Sequence, residues 1–279
     1  MYCDLHTHSF YSDGTFAPAH LVAEAKRLGL AAVALTDHNT IAGLPEFLTE
    51  AAAQNVTAVA GVELSTVWQG QELHLLGLFL PECAFAETEA LVKRFAALKE
   101  ASNRALVQRL NQAGFALDFA AIQKRSPTGN INRAHVAAEM LDRGYVSSIS
   151  QAIEGPLSLQ AGHYIPPERL GLTDAIRFLR TVGAVPVLAH PLQELTAEQL
   201  RTLLPEAKTA GLLGMETLHS SYDEAAIETA KQIAAEFGLQ ESGGSDFHGT
   251  VKPAVQLAVG KGNLRIPAEF YEKLKPLSK

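Results

Sequence analysis

Within its first ten residues the chain carries Asp4-Leu5-His6-Thr7-His8, two imidazoles separated by a single residue. The stretch from Tyr2 to His8 reads as a short strand, and side chains two apart on a strand point to one face. His6 and His8 are thereby set side by side, ready to close on one metal ion. The spacing alone is a weak signal, because paired surface histidines share it by chance. Four later clusters strengthen it: Thr36-Asp37-His38-Asn39, Gly61-Val62-Glu63, Ala189-His190-Pro191 and Gly244-Ser245-Asp246-Phe247-His248. Imidazole and carboxylate donors without thiolate suit Zn2+, Mn2+ or Fe. The set exceeds what one ion needs. Two or three ions bridged by a carboxylate and a hydroxide would use it, and such clusters serve in-line attack on phosphorus.

The elements that must position these residues follow a repeating order. After the Ser12-Asp13-Gly14-Thr15 turn, Leu21, Val22, Ala25 and Leu28 recur at helical spacing and Gly29 stands where a helix would end. The apolar run at residues 31–35 is a buried strand ending in Thr36-Asp37-His38, a helix follows to Gln54, and a second strand from Thr57 ends in Glu63. Later, residues 184–189 form a strand ending in His190, residues 212–217 a strand reaching His219, and residues 239–245 a strand leading into Asp246 and His248, with helices between them. Alternation of this kind indicates an α/β fold with parallel strands covered on both faces. In barrels of βα units the carboxyl ends of the strands converge on one rim, where active sites sit. His6, His8, Asp37, His38, Glu63, His190, Asp246 and His248 would then share one mouth.

Two stretches depart from the rhythm. Residues 63–68 and 72–79 flank Gln69-Gly70-Gln71 as a hairpin. If residue 74 sits opposite Ser65, His74 and Glu63 share a sheet face, whereas a slip of one residue would separate them. From about Phe85 strand signals vanish and helical spacing dominates, in Leu91, Phe95 and Leu98, then Leu106 and Leu110, then Val136, Met140 and Leu141. Residues 101–162 are read as a small helical insertion, with residues 126–130 as its central loop, and residues 1–100 and 163–279 as the main domain. The stretch from Lys252 onward shows no recognisable chemistry.

A chain of 279 residues with 47% hydrophobic and 19% charged content has the profile of a globular protein with a substantial core. A net charge of −7 and the lack of an obvious basic face argue against gripping long duplex nucleic acid, while leaving a small phosphorylated substrate open. No apolar run is long enough to span a bilayer, the opening residues lack a secretion signal, and two cysteines make no disulfide framework. The expected setting is cytoplasmic, with no membrane partner.

His6-Thr7-His8, Ser12-Asp13-Gly14, Thr36-Asp37-His38-Asn39, Gly61-Val62-Glu63, Ala189-His190-Pro191 and Ser245-Asp246-Phe247-His248, in this order, resemble the motifs of the PHP (polymerase and histidinol phosphatase) family. The likeness is strongest to its bacterial branch with a helical insertion, which includes 3′,5′-nucleoside bisphosphate phosphatases and short-RNA 5′→3′ exonucleases. The resemblance implies a distorted seven-stranded (β/α) barrel and two or three divalent ions, with Mn2+ favoured over Zn2+ or Fe2+. It implies that His6, His8, Glu63 and Asp246 hold one ion, that Glu63, His74 and His190 hold a second with Glu63 bridging, and that Asp13, His38 and His248 hold the third. Asp37 is then an outer partner orienting a ligand imidazole. Asn130, Arg133 and His135 resemble the substrate-facing stretch of the insertion, with Arg133 suited to grip a phosphate. His219, following a strand, is a further candidate for substrate contact. The implied activity is hydrolysis of a small nucleotide's phosphate monoester, foremost the 3′-phosphate of a 3′,5′-bisphosphate, by attack of a metal-bridging hydroxide. Short RNA, histidinol phosphate and a non-catalytic interaction module are the alternatives.

Overall fold

Apolar runs bounded by turns place seven strands in one sheet, in a computed structural model that describes residues 1–125 and 131–278. They are β1 (Cys3–Asp4), β2 (Ala32–Leu35), β3 (Ala58–Trp68), β4 (Gln71–Leu78), β5 (Val185–Leu188), β6 (Gly214–His219) and β7 (Gln240–Gly244), paired in sequence order. All neighbours are parallel except β3–β4 and β4–β5, so β4 alone runs backward. The first and last strands meet beyond their ends: Leu5 N donates to Gly243 O at 3.2 Å, Asp246 N to His6 O at 3.0 Å and His8 N to Phe247 O at 2.9 Å. The sheet is therefore a nearly closed, distorted barrel, as the sequence implies.

Because β4 is reversed, its beginning lies at the rim where the other strands end. His74 reaches that rim from the start of β4, and the register pairs Ser65 with His74, the alternative that sets His74 beside Glu63. Two sequence expectations need correction. The regular strand β1 stops at Asp4, so His6 and His8 lie on backbone beyond it, held by Asp246 and Phe247 after the end of β7 and by Thr36, whose N–H donates to Thr7 O. The strand containing Glu63 does not end there either, but continues as one element to Trp68, because the β4 return pairs it along its whole outer half.

The helices follow from composition. Pro18 and Gly29 bound the helix Pro18–Leu28, Gly29 taking φ +66°, where a residue without Cβ is unstrained. The helix Ala197–Ala210 opens with a capping box between Thr196 and Gln199. The barrel core joins Cys3, Leu5, Ala34, Leu76 and Val187 to Leu264, Ile266, Phe270 and Leu274. The C-terminal stretch is thus a structural part of the barrel, tied to the first strand where Cys3 N donates to Ile266 O at 3.0 Å.

The chain divides into two compact units, Met1–Glu89 with Leu170–Lys279, and Ala90–Arg169. The second is wider than the expected 101–162, since the helix Phe85–Gln112 runs unbroken through residue 101. Its own core gathers Leu106, Leu110, Ile122, Val136, Met140 and Leu157. Among the described residues, no helix is long and apolar enough to cross a membrane.

Candidate metal centre

Glu63 is the hub of the rim. Its backbone is clamped to the end of β2: Glu63 N donates to Asp37 O at 3.2 Å, and Asn39 N donates to Glu63 O at 2.8 Å. The side chain is fully buried, and its two oxygens divide the imidazoles between them. Oε2 lies 3.1 Å from His6 Nε2, 3.2 Å from His8 Nε2 and 3.0 Å from His38 Nδ1. Oε1 lies 3.0 Å from His74 Nδ1 and 3.2 Å from His190 Nε2. Asp246 Oδ1 closes the first side, 3.2 Å from His8 Nε2 and 3.7 Å from His6 Nε2. Asp13, half exposed, stands at the outer edge with Oδ1 3.2 Å from His248 Nε2 and Oδ2 3.9 Å from His38 Nε2.

These contacts fit metal ions better than they fit one another. His6 Nε2 and His8 Nε2 are 3.0 Å apart, two ring nitrogens facing each other and the same carboxylates. Ligands about 2.1 Å from a tetrahedral ion stand roughly 3.4 Å from each other. The donor separations of 3.0–3.7 Å among His6, His8, Glu63 and Asp246 bracket that value. Glu63 Oε2 and His74 Nδ1, despite the short distances above, and His190 Nδ1 are buried without a partner in hydrogen-bonding geometry among the described residues, an arrangement that is costly unless something else satisfies it. The nine expected donors fall into overlapping groups, each close enough for one ion: His6, His8 and Asp246; His38, Glu63 and His74; His6, Glu63 and His190; and His8, Asp13, His38 and His248.

Electrostatics point the same way. Burial disfavours charge on His6, yet Glu63 and Glu216 outweigh it and raise its pKa well above the usual imidazole value. Burial likewise opposes a charged His74, but Glu63 and Glu72 hold its pKa up at about 10. Burial pushes Glu63 upward, and the surrounding His38, His6 and His74 overcome it, keeping the group well below the carboxylate range. Burial instead pushes His8 and His190 downward, so the carboxylates favour positive charge on part of the cluster only.

A set of outer groups aims the donors. Glu216 Oε1 accepts from His6 Nδ1 at 3.1 Å, which turns the Nε2 lone pair inward, and Oε2 accepts the His190 backbone N–H at 2.7 Å. His248 Nδ1 donates to Asp246 O at 2.8 Å and so presents Nε2 to Asp13. Asp37 reaches an imidazole through Ser12, whose Oγ lies 3.5 Å from His8 Nδ1. It accepts from Ser9 N, Ser9 Oγ and Ser12 Oγ, each at 2.7 Å, and fixes the loop that carries His8 and Asp13. His190 and Asp246 sit at φ +28° and +55°, sparsely populated values held by these backbone bonds. Gly244 is required by proximity, for a Cβ there would lie 2.1 Å from His6 Cβ.

Glu216 and Asp4 escaped the sequence reading. Asp4 is completely buried and accepts from Ser245 N at 2.9 Å, Ser245 Oγ at 2.6 Å and Ala258 N at 2.8 Å, joining three chain segments beneath the donors. Asp4→Ala should cost at least about 3 kcal/mol, at roughly 1–3 kcal/mol for each buried donor left unpaired. Urea unfolding of the metal-free chain measures it, and a loss below about 1 kcal/mol would show that Asp4 does not organise the rim.

The substrate candidates lie apart in character. His219 is buried, with Nδ1 2.8 Å from Ser221 Oγ and Nε2 3.6 Å from Asp246 Oδ2, so it backs the donor cluster. In the helical unit, Arg133 opens the helix Arg133–Asp142 with its guanidinium 4.5 Å over the Tyr164 ring, and His135 Nδ1 accepts the Asn132 N–H in a capping box. Asn130 lies outside the described residues.

A seven-stranded barrel carrying such a cluster at its rim defines a metal-dependent hydrolase. Residues 4–159 match the PHP domain family. The chain is 34% identical over 248 residues, 88% of this chain and 89% of the relative, to a 5′-3′ exoribonuclease of Haemophilus influenzae. It is 29% identical, over 88% of this chain and 86% of the relative, to a 3′,5′-nucleoside bisphosphate phosphatase of Chromobacterium violaceum. The solved structure of a Chromobacterium violaceum amidohydrolase with bound SO4 and no metal superposes with a TM-score of 0.72 at 27% identity, covering 99% of this chain and 97% of that one. The chain belongs to the PHP domain family, and it is a metal-dependent phosphoesterase.

Proposed function

We propose that this phosphoesterase removes the 3′-phosphate from small nucleoside 3′,5′-bisphosphates, with Mn2+ as the working metal. The observation that carries the reading is the division of Glu63 between two sets of imidazoles, which suits a bridging carboxylate. His6, His8, Glu63 and Asp246 would hold one ion, Glu63, His74 and His190 a second, and Asp13, His38 and His248 a third. Bound there, the ions would neutralise phosphoryl oxygens and make a water acidic enough to attack phosphorus near neutral pH. The chain's own part is to hold the donors rigidly. Glu216 keeps His6 in the tautomer whose Nε2 faces inward, the Asp246 carbonyl does the same for His248, and Asp37 fixes the Ser9–Asp13 loop.

Nucleotide specificity draws support from the relatives, one named for bisphosphates and another for RNA. Arg133 and His135 are proposed to bind the second phosphate or the ribose, together with Asn130. A cytoplasmic setting belongs to the same reading, in keeping with two free cysteines, Cys3 and Cys83. The experiment is a phosphate-release screen with Mn2+ over nucleoside 3′,5′-bisphosphates, nucleoside monophosphates and histidinol phosphate. The bisphosphate should give the highest kcat/KM, and preference for a monophosphate would refute the reading. Stepwise trimming of short 5′-phosphorylated RNA is the second reading, favoured by the 34% identity to an exoribonuclease, and labelled oligonucleotides in the same screen decide it.

Arg133→Ala should lower kcat/KM for a 3′,5′-bisphosphate by about 2–4 kcal/mol in transition-state terms, the scale for leaving a bound charge without its partner. An aryl phosphate, with no second phosphate to grip, should lose far less. Equal losses on both substrates would assign Arg133 to the fold of its unit, where it already packs on Tyr164.

A further inference from the structure

Lys252 lies in the stretch whose sequence showed no chemistry, yet its Nζ is 2.6 Å from Asp246 Oδ2. The opposite oxygen of the same carboxylate faces His8 and His248, so Lys252 and the donor cluster share Asp246 from two sides. Lys252 lines one pocket with His38, His74, His190 and Asp246, and it is the one lysine or arginine among the residues lining that pocket. Its backbone is fixed nearby, where Thr250 N donates to Thr15 Oγ1 at 3.0 Å and Val255 N to Lys252 O at 2.9 Å. Its side chain is 41% exposed, leaving the ammonium free to swing on a four-carbon stem.

Such a half-exposed ion pair contributes little to folding. Its position makes sense as charge management. The carboxylates of Asp13, Glu63, Glu216 and Asp246 converge on the rim, so an incoming phosphate dianion gains from a cation that lines the pocket beside them. We propose that Lys252 is the phosphate-binding cation of this site: it neutralises Asp246 in the metal-free chain and, once ions occupy the donors, turns to a non-bridging oxygen of the phosphate being cleaved. The inference rests on the phosphoesterase reading of the rim but not on which phosphoester is hydrolysed.

Calorimetric titrations with inorganic phosphate and with Mn2+ test it. In the Mn2+-loaded chain, Lys252→Met should bind inorganic phosphate roughly ten- to a hundredfold more weakly, the scale of one charge-assisted hydrogen bond. Lys252→Arg, which keeps the charge, should restore most of that affinity. Mn2+ titrated into metal-free Lys252→Met should bind as tightly as to the parent or more tightly, because the competing ammonium is gone. Unchanged phosphate affinity in Lys252→Met would overturn the proposal. So would a tenfold loss of Mn2+ affinity, which would make Lys252 a positioning group for Asp246. A parent chain that binds no Mn2+ would instead overturn the metal site, and this inference with it.

Discussion

Replacing Glu63 by Gln should lower turnover by roughly a thousandfold or more at saturating Mn2+, at or beyond the upper end of what removing one transition-state electrostatic group costs. The expectation rests on how many donors depend on this one carboxylate. Five imidazoles, those of His6, His8, His38, His74 and His190, lie 3.0–3.2 Å from its oxygens. An amide of the same shape removes the charge that holds them and turns an N–H group toward ring nitrogens. The loss should appear in kcat with a reduced number of tightly bound ions per chain. Retention of more than a tenth of parent turnover would show that Glu63 does not bridge.

Asp246→Asn should cost roughly a hundredfold or more in turnover. Asp246 Oδ1 faces His8, His6 and His248, while Oδ2 holds Lys252, so the amide disturbs the metal side and the anion side together. Steady-state assays over a wide Mn2+ range separate these effects. Excess metal should recover part of the loss if affinity alone is weakened, and near-parental activity at saturating metal would remove Asp246 from the ligand set.

The contrast between what the sequence showed and what it hid has physical causes. The donors at strand ends were legible because parallel βα units force such residues to one rim, and their types are rarely buried together without a ligand. His74 was legible only as a choice between two registers, since a slip of one residue reverses the face. Glu216 was hidden because β6 carries an irregularity between Glu216 and Leu218, so alternation along Gly214–His219 does not report which side chains face the site. Asp4 looked like a neighbour of the His6-Thr7-His8 motif, and its real partners, Ser245 and Ala258, are more than two hundred residues away. Lys252 sits in irregular backbone, where no periodicity connects it to the rim. The breadth of the helical unit was masked because Phe85–Gln112 is one helix on both sides of the expected boundary.

The proposed chemistry depends on Glu63 being shared between metal ions at the rim of the barrel. Crystals of the Mn2+-loaded chain, measured at the manganese absorption edge, test it most directly through the anomalous signal. At least two peaks should touch Glu63, one also in contact with His6, His8 and Asp246 and another with His74 and His190. A single peak, or peaks that leave Glu63 without a metal contact, would contradict it.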